Sequence, residues 1–580
     1  MKKQFISALI ATATLATAVT GCGSISIITD SAAASESPAY IEPSYPDEEA
    51  PATACEEYAS DDGNYAETEP AEYEMYDRSA NKTVAAAGES ECLAAYDSCE
   101  ESAMCPGDYW VYDNELSGEK YNETKENSFM DAVSSPLSTF AADVDTASYA
   151  NLRRMINDGY RACDIPKGAI RTEELINYFD YGYKGPRRGD TFAVNASIMD
   201  CPWNDETKLV TMGIKAKELR DTEDIPSNIV FLIDVSGSMN DYDKLPLLQM
   251  GFDMLADDLD ENDRVSIVTY ASSSDVVIAG VPGSDHTRIK RAINSLSASG
   301  STNGGEGIKT AYRLAEKYFI EGGNNRVIMA TDGDLNVGIT SEDELEELIS
   351  DKKENGVFLS VLGFGTGNYN ERTLETLADK GNGNYSYIDC LAEAKKVLID
   401  EFNSTLFTVA KDVKFQIEFN PKYVSEYRQI GYENRQMAAK DFDDDTKDGG
   451  EIGSGHEVTV MYEIKLNDRY EDGDRKLRYQ DTDLSDIAKD SDEWMMVSVR
   501  YKEPEDEKSQ LMTFPISKEC YTMHPNCDTL FAAYVAECGM ILNDSEYVDD
   551  MRMKNVAKQL SKLALDDEYK EEFVQLVKQL

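Results

Sequence analysis

The sequence predicts an α/β fold: a doubly wound, mostly parallel sheet inserted between β-rich flanking segments, followed by a C-terminal helical region. Three observations carry this expectation. Between Ser227 and about Leu406, short continuous apolar runs alternate with amphipathic stretches, as buried parallel strands alternate with their crossover helices. Beyond Thr408 apolar residues recur with a period of two, the signature of half-buried strands, and on the other side of the segment Thr191–Ala216 reads as extended. From about Cys527 to the end, helical periodicity takes over.

In chain order, structure is expected to begin near Pro136. Tyr149, Leu152, Met155 and Ile156 mark a first helix, and Arg171–Tyr178 a second. Asp143 and Asp145 precede them without the spacing of a calcium loop, so capping or solvation is their expected role. Thr191–Ala216 reads as extended, broken by a turn at Pro202-Trp-Asn-Asp205. In the α/β segment Ile229–Ile233, Arg264–Tyr270, Asp275–Ile278, Val327–Ala330, Val357–Leu362 and Tyr385–Ile388 read as strands. Helices are expected over Leu245–Leu259, Ile289–Leu296, Gly307–Phe319, Glu342–Ile349, Glu371–Ala378 and Ala392–Phe402. Beyond Thr408, alternation at Val413–Phe419, Val458–Ile464 and Met495–Tyr501 predicts a β-sandwich, to which both flanks of the α/β unit contribute. Asp441–Gly455 reads as an acidic, Gly-rich loop. Leu530, Tyr534, Val556, Leu560, Leu563, Phe573, Leu576 and Leu580 are the expected core of the last helices. The resulting division is 1–21, 22–130, 131–226, 227–406, 407–520 and 521–580.

Composition narrows the function. Asp and Glu number 110 against 56 Lys and Arg, a net charge of −54 that repels nucleic acid and anionic lipid surfaces. Lys2 and Lys3 precede an apolar stretch, Phe5–Val19, that is rather short for a spanning helix and ends in Val19-Thr-Gly-Cys22. This resembles a bacterial lipoprotein signal, which implies cleavage after Gly21, acylation of Cys22 and a place on the outer face of the cytoplasmic membrane or in the cell envelope, held by lipid alone. Residues 22–130 then form an acidic tether expected to be disordered, with a random-coil reach on the order of 60 Å. Of the 11 cysteines, the ten other than Cys22 permit disulfides in such a compartment, and no pair has the C-x-x-C spacing of a zinc site.

The chemistry is carried by three short strings: Asp234-Val-Ser-Gly-Ser238, Ser301-Thr302 and Thr331-Asp332-Gly333. They fall at or near the carboxyl ends of predicted parallel strands, where open α/β sheets bind ligands. In Asp234-x-Ser236-x-Ser238, alternating positions aim a carboxylate and two hydroxyls at one point, and Gly237 permits the turn. Hydroxyls with only two carboxylates suit Mg²⁺, with Mn²⁺ or Ca²⁺ as substitutes, and leave a coordination position open to an outside carboxylate. The strings resemble the metal-ion-dependent adhesion site of von Willebrand factor type A domains. That resemblance implies metal ligation by Asp234, Ser236 and Ser238, directly or through water, with Thr302 and Asp332 completing the set. It also implies an extracytoplasmic protein partner offering an Asp or Glu carboxylate. Residues 136–183, the Pro202-Trp-Asn pattern and 531–580 resemble the flanks of bacterial lipoproteins that carry this domain.

Enzymatic readings find little support. The three histidines, His286, His456 and His524, are remote from the strings, and Ser236 lacks the G-x-S-x-G context of a hydrolase elbow. There is no P-loop, and Gly363-Phe-Gly-Thr-Gly367 fails the spacing of a dinucleotide fingerprint, so neither nucleotide nor nucleic acid is an expected partner. The alternatives to a cation-dependent binder are a structural envelope protein whose metal only holds loops together and a metal-assisted hydrolase.

Overall fold

The computed structural model describes residues 121, 125–142, 145–219, 225–301, 304–333, 342–365, 371–402, 407–447, 449–467, 484–504, 506–549 and 552–580. Cys22 and the predicted tether up to residue 120 lie outside them.

The apolar runs of the central segment form a six-stranded sheet in the spatial order Tyr385–Ile388, Phe358–Phe364, Asn324–Thr331, Ser227–Asp234, Arg264–Tyr270, Ser274–Pro282. The first five are parallel, and the sixth returns antiparallel as an edge hairpin. All eight residues of Ser227–Asp234 are buried, because the strand is covered on both faces. Ile229, Phe231 and Ile233 point to the face packed by Leu248, Phe252 and Leu255 of the helix Leu245–Asp258, by Ile289 and Ile293, and by Leu398. Val230 and Leu232 point to the other, covered by Ile308 and Tyr312 of the helix Gly304–Lys317 and by Ile349, Leu374 and Leu377.

The flanks close into a sandwich. One sheet runs Met130–Asp131, Val424–Ile430, Glu457–Leu466, Lys208–Ala216, Phe192–Asp200, and the other centres on Thr408–Phe419, paired with Leu137–Ala141, Ile452–Gly453 and Glu493–Lys502, the last with Gln510–Ser517 beyond it. Phe192, Val210, Met212, Tyr427 and Tyr462 from one sheet meet Phe140, Phe415, Ile417, Val497 and Val499 from the other. The α/β unit therefore leaves the sandwich after Ala216 and re-enters it at Thr408. A third core joins the N-terminal helices Ala147–Asn157 and Thr172–Asn177 to Cys527–Leu542, Met553–Leu560 and Glu568–Val577 through Tyr149, Leu175, Phe179, Phe531 and Phe573. Among the described residues no helix is long and apolar enough to cross a membrane.

Several details differ from expectation. The first strand starts at Met130, ahead of Pro136. The helix expected over Ala392–Phe402 is an α-turn, Leu391–Lys395, running into a π-turn, Lys396–Asp400. The loop at Asp441–Gly455 holds part of the 3₁₀ segment Ala439–Asp443 and the short strand Ile452–Gly453. Val556, Leu560, Phe573 and Leu576 are buried, whereas Leu530, Tyr534, Leu563 and Leu580 are only partly so. Asp145 neither caps nor faces solvent: it is buried, accepts from the Tyr385 amide (3.4 Å) and pairs with Arg435 (3.2 Å). Asp143 lies outside the described residues. The six described cysteines, 163, 201, 390, 520, 527 and 538, are free thiols.

Candidate metal centre

Asp234 is the last residue of its strand, and the chain leaves the sheet there under tight control. The Val235 amide continues the ladder to the Tyr270 carbonyl (2.9 Å), its carbonyl accepts from the Ser299 amide (2.7 Å), and the Gly237 amide donates to the Gly300 carbonyl (3.0 Å). Ser236 then stands at the N-cap of a 3₁₀ turn, Gly237–Asn240. In the parallel neighbour Ala330 registers with Ile233, which places Thr331 beside Asp234 and Asp332 just beyond. Strand order thus converts residues about a hundred positions apart into one cluster.

Within it, the buried Asp234 carboxylate accepts from the Ser236 amide through Oδ1 (2.8 Å) and from the Thr331 hydroxyl through Oδ2 (3.2 Å). Burial pushes its pKa up to about 6, with the like charge of Asp332 adding to the effect. The Ser236 and Ser238 hydroxyls lie 2.9 Å apart. Asp332 is 3 % exposed: its Oδ2 accepts from Lys244 Nζ (3.0 Å), while its Oδ1 is buried with no partner among the described residues. Such an orphaned acceptor is costly unless something binds it. Two hydroxyls, a buried carboxylate and a bare carboxylate oxygen are a donor set that fits a small hard cation. Among the described residues no group of three His, Cys, Asp or Glu side chains is placed to hold a metal, so the hydroxyls are what make this cluster suitable.

Four of the five predicted ligands, Asp234, Ser236, Ser238 and Asp332, therefore share one end of the sheet. Thr302 lies outside the described residues; Gly300, two residues earlier, is hydrogen-bonded to the Gly237 amide. Sequence reasoning missed Lys244, whose ammonium also reaches the Ser238 carbonyl (3.0 Å). Its only outward signal was a cation at the head of an apolar helix. Gly365, from the Gly363–Gly367 string, packs against this lysine: a Cβ there (φ +73°) would lie 2.2 Å from Lys244 Cε.

Family models match along the chain: "von Willebrand factor" over 115–211, "von Willebrand factor type A domain" over 228–400, and "Uncharacterized protein YfbK, C-terminal" over 404–580. "Uncharacterized protein YfbK" of Escherichia coli K12 is 42% identical over 469 residues, covering 79% of this chain and 80% of the relative. The chain belongs to the YfbK family. The YfbK-type C-terminal match begins at 404, just before the re-entrant strand Thr408–Phe419. Outside that family, inter-alpha-trypsin inhibitor heavy chain H3 of Mesocricetus auratus is 29% identical over 168 residues, covering 27% of this chain and 19% of the relative. The solved von Willebrand factor type A structure from Catenulispora acidiphila aligns at 14% identity and a TM-score of 0.37, covering 66% of this chain and 90% of that one. Von Willebrand factor type A domains commonly mediate protein binding through a metal-ion-dependent adhesion site.

Proposed function

We propose that this protein is a non-catalytic, lipid-anchored component of the bacterial cell envelope that binds a carboxylate-bearing protein ligand through a divalent cation. Asp234, Ser236, Ser238, Thr302 and Asp332 hold the ion, which is Mg²⁺, with Mn²⁺ or Ca²⁺ able to replace it. The observation that best supports this reading is the bare, buried Oδ1 of Asp332 in the same cluster as the paired Ser236 and Ser238 hydroxyls. With so few carboxylates the ion is under-neutralised, and an Asp or Glu from a partner is the complementary ligand. Calorimetric titration with MgCl₂ tests the assignment: the full chain binds one ion, and Asp234→Ala loses at least tenfold in affinity while keeping its far-UV spectrum. Undiminished affinity in that variant would sink the site.

Attachment to the membrane rests on Lys2, Lys3, the apolar Phe5–Val19 stretch and Cys22. Cells fed labelled palmitate incorporate it into the wild-type chain and not into Cys22→Ser; equal labelling of both would refute the anchor.

A further inference from the structure

Lys244 occupies a position that needs an explanation. It is the N-cap residue of the 14-residue helix Leu245–Asp258, where the helix dipole disfavours a cation, and it is 6 % exposed. Its stem crosses the one face of Gly365 that a side chain would block. Its ammonium is fixed by Asp332 Oδ2 and the Ser238 carbonyl, each at 3.0 Å. Asp241 lies 4.0 Å away with a largely exposed side chain, so solvent screens that contact. A charge placed against the local field and threaded through a glycine gap has a partner that offsets it, and that partner is a proposed metal ligand.

We infer that Lys244 is a built-in counter-cation: it holds Asp332 by one oxygen so that the other faces the metal, and it lowers the negative charge of the site so that the bound ion stays attractive to an acidic partner. The inference rests on the proposed reading of the centre as a cation site. Among the described residues of the cluster, Asp234 and Asp332 formally contribute two negative charges and Lys244 one positive, so a divalent ion leaves these groups at plus one. Without the ammonium they would be neutral. The lysine therefore exchanges metal affinity for ligand affinity, and its removal shifts the two in opposite directions. A unit charge a few ångströms from a divalent ion changes its binding on the order of tenfold even under water-like screening.

The test uses the full chain, MnCl₂ as the ion and acetate as the carboxylate probe, read through the water-proton relaxation of bound Mn²⁺. Lys244→Met keeps the apolar stem over Gly365 and removes the charge. It is expected to bind Mn²⁺ about tenfold more tightly and to need several-fold more acetate to displace the metal-bound water. Lys244→Arg keeps the charge and stays nearer wild type in both, which separates charge from packing; thermal melts show that the variants fold. Mn²⁺ binding to Lys244→Met that is equal to or weaker than wild type, or unaltered acetate sensitivity, would overturn the inference alone. If the wild-type chain binds no Mn²⁺, the reading of the centre fails and this inference fails with it.

Discussion

The two carboxylate oxygens of Asp332 sit in different environments, one on the Lys244 ammonium and one bare, and that asymmetry gives the cluster its chemistry. Asp234 differs again, since both its oxygens are already hydrogen-bonded to the turn that positions Ser236 and to Thr331. A second buried carboxylate is compensated only in part. Glu173, in the first turn of Thr172–Asn177, has an Oε2 without a hydrogen-bond partner among the described residues and lines a cavity of about 90 Å³ with Glu433. Burial, then the charge of Glu433, raises its pKa well above the ordinary 4.5. Between that value and its folded value the native state binds the extra proton, so this group's effect on stability improves as pH falls and turns unfavourable as pH rises. Glu173→Gln is accordingly expected to be more stable than wild type at pH 8, by on the order of 1–2 kcal/mol, with the difference vanishing near pH 4.5. Melting curves across that range check it, and a variant less stable at pH 8 would contradict it. The clustering of Asp234, Ser236, Ser238 and Asp332 was legible because Asp and Ser at strand ends announce themselves by type and spacing. Lys244 was not, because its role depends on a glycine 121 positions away.

At the scale of elements, parallel strands such as Ile229–Ile233 were legible because burial on both faces demands an unbroken apolar run. The end of the α/β unit was not. The π-turn Lys396–Asp400 follows from contacts with distant segments, the Lys396 ammonium lying over the rings of Tyr178 and Tyr569. Close by, Arg153 of Ala147–Asn157 joins three elements, donating to Asp389 after the last strand of the sheet (2.8 Å), to Glu393 (2.7 Å) and to Glu572 of the final helix (3.0 Å). Its side chain and that of Glu393 are almost wholly buried. Removing the guanidinium would strand buried carboxylates, so Arg153→Ala is expected to cost about 3–5 kcal/mol, seen as an earlier unfolding midpoint in denaturant. A shift within error would mean that the clamp carries no stability. The Pro202-Trp-Asn pattern has a similar explanation: Trp203, Asn204 and Thr207 all donate to the Glu463 carboxylate, which also pairs with Arg428, so the turn caps a buried ion pair of the sandwich.

At the scale of the whole molecule, an α/β unit carrying the candidate site at the carboxyl end of its central strands is held by a sandwich and a helical core, both assembled from its two flanks. Period-two alternation beyond Thr408, with the extended stretch Thr191–Ala216 on the other side of the unit, foretold the sandwich. The helical core could not be foreseen, since Tyr149 and Phe573 meet across more than four hundred residues and no local pattern records such a contact. This scaffold makes the loops of the proposed ion site the termini of parallel strands, which is where a preorganised site belongs. If this site holds a divalent ion, anomalous diffraction from crystals soaked in MnCl₂ locates it directly. A single strong peak is expected within coordination distance of Ser236 Oγ, Ser238 Oγ and the bare oxygen of Asp332, absent from Asp234→Ala crystals. No peak there, or a peak held by other residues, would contradict it.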